Sequence, residues 1–145
     1  MEFDRIRFME HLALDCRLSL HNFCEVMQRR FKLPTFEFDA ENETAWGLVE
    51  HKGIEYNVSR PYKRGTLHEW DDSVPEDCNF GVILMVSREC PPSQNPDWSL
   101  ADLVPYFTQG LANLFRCRVY HHRTRINGSS DVLRTGIFEP STERV

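Results

Sequence analysis

The run Phe80-Gly81-Val82-Ile83-Leu84-Met85-Val86 constrains this chain most, because it is apolar at every position and carries no charge. An extended segment with two apolar faces must be covered on both, which places it near the centre of a sheet. The run is far shorter than the roughly 18 apolar residues of a membrane span, and no other run approaches that length. It therefore reads as the central strand of a core, with the rest of the chain arranged around it.

Upstream, Ile6, Met9, Ala13, Cys16, Leu20, Phe23, Met27 and Phe31 recur at steps of 3, 4, 3, 4, 3, 4 and 4. That spacing predicts an amphipathic helix, or two helices in series with Ser19 capping the second, ending before Pro34. Arg29, Arg30 and Lys32 fall near its C-terminus, where cations suit the helix dipole.

Period-two patterns follow. Residues 35–39 alternate as a short strand, and residues 40–44 form a polar turn. Residues 46–50 and 54–58 flank His51-Lys52-Gly53, a hairpin signal with Gly53 at the left-handed position. Residues 66–70 read as a short return strand, and residues 71–78 as an acidic loop around Pro75. Residues 90–96 form a Pro-rich loop.

A second helix is expected over residues 97–116, with Ser99 as N-cap and a kink or restart at Pro105. Residues 118–123 read as a last full strand and 126–130 as a turn, and 136–138 add an edge pairing. The predicted fold is one α+β domain over residues 1–145. An antiparallel sheet of about four to six strands carries the N-terminal and late helices on one face.

Composition narrows the function classes. Ten Phe, four Tyr and three Trp supply a core and exclude global disorder. The five cysteines, Cys16, Cys24, Cys78, Cys90 and Cys117, form no C-x-x-C pair and are expected to be reduced thiols. The charged N-terminal stretch lacks a signal-peptide apolar region, so a cytoplasmic location is expected.

The formal charge of −5 is unevenly spread. Residues 35–78 hold eleven acids and four bases, a net of −7, against +2 for the remainder. Phosphates would be repelled by such a segment, so nucleic acid is not an expected partner. A basic protein surface would be attracted.

No catalytic motif emerges. His121 and His122 are neighbours on a strand, so they point to opposite faces and cannot chelate one metal together. One is expected to be a satisfied, partly buried imidazole and the other a surface group. His68, Glu69, Asp71 and Asp72 form an oxygen-rich cluster without H-E-x-x-H or a calcium-loop spacing. No serine lies in a G-x-S-x-G context, and the glycines are too scattered for a phosphate loop. No metal or other cofactor is assigned, and an enzymatic role is not expected. The alternative is a small enzyme or ligand-binding domain that gathers His68, Asp71 and His122.

Trp46, Tyr56, Tyr62 and Trp70 fall in or beside the acidic segment, together with Arg60. Aromatics and Arg anchor protein interfaces, and surrounding acids form their polar rim. The candidate partner-binding residues are therefore Trp46, Glu55, Tyr56, Arg60, Tyr62, Glu69, Trp70, Asp71, Asp72, Glu76 and Asp77.

Trp46-Gly47, residues 55–62, Gly65-Thr66-Leu67, Trp70-Asp71, Val74-Pro75 and residues 78–81 together resemble small bacterial immunity proteins, encoded beside polymorphic or contact-dependent growth-inhibition toxins. The resemblance covers roughly residues 35–125 and carries no diagnostic motif. It implies a role rather than a fold: stoichiometric inhibition of a toxin domain, often a basic nuclease, by covering its active site.

Overall fold

The computed structural model describes residues 8–41, 44–61, 78–86, 96–125 and 134–141. The apolar run forms a strand, Phe80–Val86, that occupies the middle of a seven-stranded sheet. In chain order the strands are β1 (Phe8–Leu14), β2 (Glu37–Glu41), β3 (Thr44–His51), β4 (Ile54–Pro61), β5 (Phe80–Val86), β6 (Val119–Arg125) and β7 (Arg134–Phe138). The spatial order is β2-β3-β4-β5-β1-β6-β7, with every pairing antiparallel. The helices are α1 (Leu20–Phe31) and α2 (Pro96–Phe115).

The main departure from the sequence reading lies at the N-terminus. The 3–4 spacing predicts helix through residues 6–16, yet Phe8–Leu14 is a strand inserted between β5 and β6. The stripe omitted Leu12 and Leu14, which are almost wholly buried, because a strand with both faces covered has no period-two signature to compete with the helical one. The second half of the stripe is helical. Ser19 caps α1, its hydroxyl accepting the Asn22 amide at 3.2 Å.

Other boundaries moved less. The first predicted strand begins at Glu37 rather than Thr35, and α2 starts at Pro96, so Ser99 lies inside it rather than capping it. The helix runs through Pro105 without a break in assignment. The edge pairing at residues 136–138 is β7. The strand expected over 66–70, the loops over 71–77 and 90–95, and the turn over 126–130 lie outside the described residues.

Both helices pack on one face of the sheet. Leu12 and Leu14 of β1, Val58 of β4, Phe80, Val82 and Leu84 of β5 and Val119 of β6 all point into this core. Phe23 of α1 lies between Phe80 of the sheet and Phe115 of α2, with ring centroids at 4.2 and 4.4 Å. Close approach of α1 to β3 depends on Gly47, where an added Cβ would lie 2.9 Å from Phe38 and 3.2 Å from the Cys24 sulfur. Asn79 ties the β1–α1 connection to the sheet. Its side chain accepts the Cys16 amide at 2.8 Å and donates to the Cys16 carbonyl at 2.7 Å.

Candidate functional site

Among the described residues, neither helix covers the second face of the sheet. Strand register fixes which side chains share it. Glu37 is opposite Leu48 and Asp39 opposite Trp46 across β2 and β3. Trp46, Leu48 and Glu50 then pair with Ser59, Asn57 and Glu55 across β3 and β4. Partners in an antiparallel pair project to the same side. Ile54, Tyr56 and Val58 point into the helix-side core, so the alternate set points away from it.

The result is a patch with an apolar centre and an acidic surround. Trp46 is half-buried and Leu48 is 38% exposed, while Glu37, Asp39 and Glu50 are exposed and Glu55 is half-buried. Among the described residues, no Lys or Arg shares this part of the face and no cation pairs with any of the four carboxylates. Glu50 and Glu55 are direct cross-strand neighbours. Like charges in that position destabilise a sheet, so the isolated fold gains nothing from their placement.

Of the predicted partner-binding residues, Trp46 and Glu55 belong to this patch. Tyr56 and Arg60 do not. Tyr56 is buried beneath α2 with its ring 5.5 Å from that of Phe107, and burial raises its phenol pKa. Arg60 projects to the same helix side, its guanidinium 5.7 Å from the Phe80 ring, and its Nε has no hydrogen-bond partner among the described residues. The reason is strand parity: even-numbered positions of β4 face the core. Tyr62, His68, Glu69, Trp70, Asp71, Asp72, Glu76 and Asp77 lie outside the described residues.

Sequence reasoning counted Glu37, Asp39 and Glu50 as acids of the segment without assigning them to the site, and it passed over Leu48. The signal was available in the alternation of residues 37–41 and 46–50, once the pairing of β2 with β3 is known.

The adjacent histidines diverge as strand geometry requires, but both are buried, so neither is a surface group. His121 faces the helices, its Nε2 2.7 Å from Glu10 Oε1, while Arg123 Nε donates to Glu10 Oε2 at 2.6 Å. His122 takes the opposite face and stacks on His11 at a centroid distance of 4.3 Å. His11 Nε2 lies 2.9 Å from the Thr124 hydroxyl. These contacts satisfy and orient the imidazoles. Among the described residues, no group of three or more His, Cys, Asp or Glu has the geometry to hold a metal ion.

Among the described residues, no helix is long and apolar enough to cross a membrane. Comparison with protein-family models, with curated proteins and with solved structures finds no match.

Proposed function

We propose that this chain is a protein-binding module whose β2–β4 face engages a basic protein surface. The observation that carries the reading is the convergence of Glu37, Asp39, Glu50 and Glu55 around Trp46 and Leu48 on one side of the sheet. An aromatic anchor beside an exposed leucine supplies desolvation energy, and the unpaired carboxylates supply steering and orientation. A partner that brings cations against Glu50 and Glu55 converts an intramolecular repulsion into an intermolecular attraction. Association is then fast at low salt and slows as salt screens the field.

The resemblance to immunity proteins supports one class of partner: a toxin domain with a basic active-site surface, neutralised in the cytoplasm by steric coverage. In this reading the chain binds stoichiometrically and performs no chemistry of its own.

Growth rescue tests the proposal. The gene's neighbourhood is searched for a toxin-domain reading frame, which is expressed with and without the chain. Wild type is expected to restore growth, and a Trp46→Ala/Glu50→Lys/Glu55→Lys variant that still folds is expected to fail. Rescue by that variant equal to wild type refutes the assignment of the face.

A further inference from the structure

On the helix side of the sheet, the C-terminus of α1, the β3–β4 turn and the middle of α2 border an open cleft of about 610 Å³. Phe31, Tyr56 and Phe107 supply aromatic walls, with the Phe31 and Phe107 rings 4.5 Å apart. Arg30, Lys32 and Lys52 also line it, and among the described residues no carboxylate does. Among the described residues, none of these three cations has an acidic partner. In a chain of net charge −5, such a convergence of cations is not expected from composition.

Local backbone geometry places two of the cations. Lys32 and Lys52 both adopt the left-handed conformation, with φ of 55° and 53°. Positions of this kind favour Gly or Asn, since a longer side chain gains nothing there and Cβ is crowded. Lys32 caps α1 and Lys52 opens the two-residue turn completed by Gly53, at φ 81°. The helix dipole accounts for a cation at Lys32, but not for one at Lys52, which belongs to a hairpin.

We propose that this cleft binds a small anion bearing a planar aromatic ring, an aryl phosphate or aryl carboxylate. The ring packs beside Phe31 and the exposed Tyr106, over the buried Tyr56 and Phe107, while Lys32, Lys52 and Arg30 hold the anionic group. The α1 C-terminal carbonyls contribute about half a negative charge, which three cations outweigh. The volume suits such a ligand, since small-molecule sites span about 300–1,000 Å³. The site lies across the sheet from the acidic patch and does not depend on it.

Titration calorimetry with 1-naphthyl phosphate, 1-naphthoate, 1-naphthol and inorganic phosphate tests this. At least one naphthyl anion is expected to bind with Kd below about 1 mM, and naphthol and phosphate at least about tenfold more weakly; the stronger of the two anions identifies the headgroup. Lys32→Gln/Lys52→Gln removes charge alone and is expected to weaken that anion at least about tenfold. Lys32→Gly/Lys52→Gly is expected to show the same loss with a raised Tm, because the left-handed positions are relieved. Saturable binding of neither anion overturns the proposal, as does equal binding of naphthol or unchanged affinity in the Gln variant.

Discussion

Glu10 and Arg123 face each other across β1 and β6, carboxylate to guanidinium at 2.6 Å, with the carboxylate wholly shielded from water. His121 closes the other carboxylate oxygen. Removing one member of a buried charge pair strands the other in a medium that solvates it poorly. Glu10→Leu is expected to cost about 3–5 kcal/mol, read from urea denaturation. Glu10→Leu/Arg123→Met is expected to recover a large part of that loss, because the guanidinium that Glu10 compensated is gone as well. Additive losses in the double variant contradict this account.

Cys24 lies in the core under β3, and burial pushes its thiol pKa up to about 12 from an ordinary value of 9.0. A raised folded-state pKa means that the folded chain holds a proton the unfolded chain releases. The corresponding stability is fully present below about pH 9 and is lost as pH rises towards 12. Urea midpoints measured from pH 8 upwards are expected to fall more steeply for wild type than for Cys24→Ala. Below pH 9 the native thiol is also expected to resist aromatic disulfide reagents.

Gly47 is kept by contact rather than by backbone conformation. Ala is ordinarily no worse than Gly in a strand, but here its methyl meets Phe38 at 2.9 Å and the Cys24 sulfur at 3.2 Å. Gly47→Ala is expected to destabilise by about 1–3 kcal/mol through overpacking, and Cys24→Ala in the same chain should restore part of the loss. A Gly47→Ala protein at least as stable as wild type excludes the close approach.

The Glu50–Glu55 pair separates folding from binding. Glu55→Lys replaces a direct like-charge pair with an opposite-charge pair and is expected to stabilise the sheet by about 0.2–1 kcal/mol. Thermal denaturation at low salt reads the gain, which should shrink as salt is added. A destabilised Glu55→Lys protein shows that Glu55 has a structural role that the register does not reveal.

How much of this was legible beforehand differs by element. β5 was, because seven apolar residues without a charge have few other uses. The β3–β4 hairpin was, because Gly53 marks its turn. β1 was not, since burial on both faces erased its alternation and let a 3–4 spacing pass for a helix. With that error Glu10 fell outside the apolar stripe and was not singled out, although it is the most deeply buried charge among the described residues. The acidic patch was half legible: composition found the acids, but only the β2–β3 register sorts them by face and sends Tyr56 and Arg60 to the other side. Nothing in the sequence pairs Lys32 with Lys52. They line one cleft only because α1 ends beside the hairpin turn.

The central claim is that the β2–β4 face recognises a basic protein, and the association rate of the purified toxin domain tests it most directly. For wild type, that rate is expected to fall steeply as salt rises. For Glu50→Lys/Glu55→Lys at low salt it is expected to drop by at least about tenfold, and Trp46→Ala should act mainly on the dissociation rate. An association rate that is independent of salt and the same in the charge-reversed variant contradicts the account.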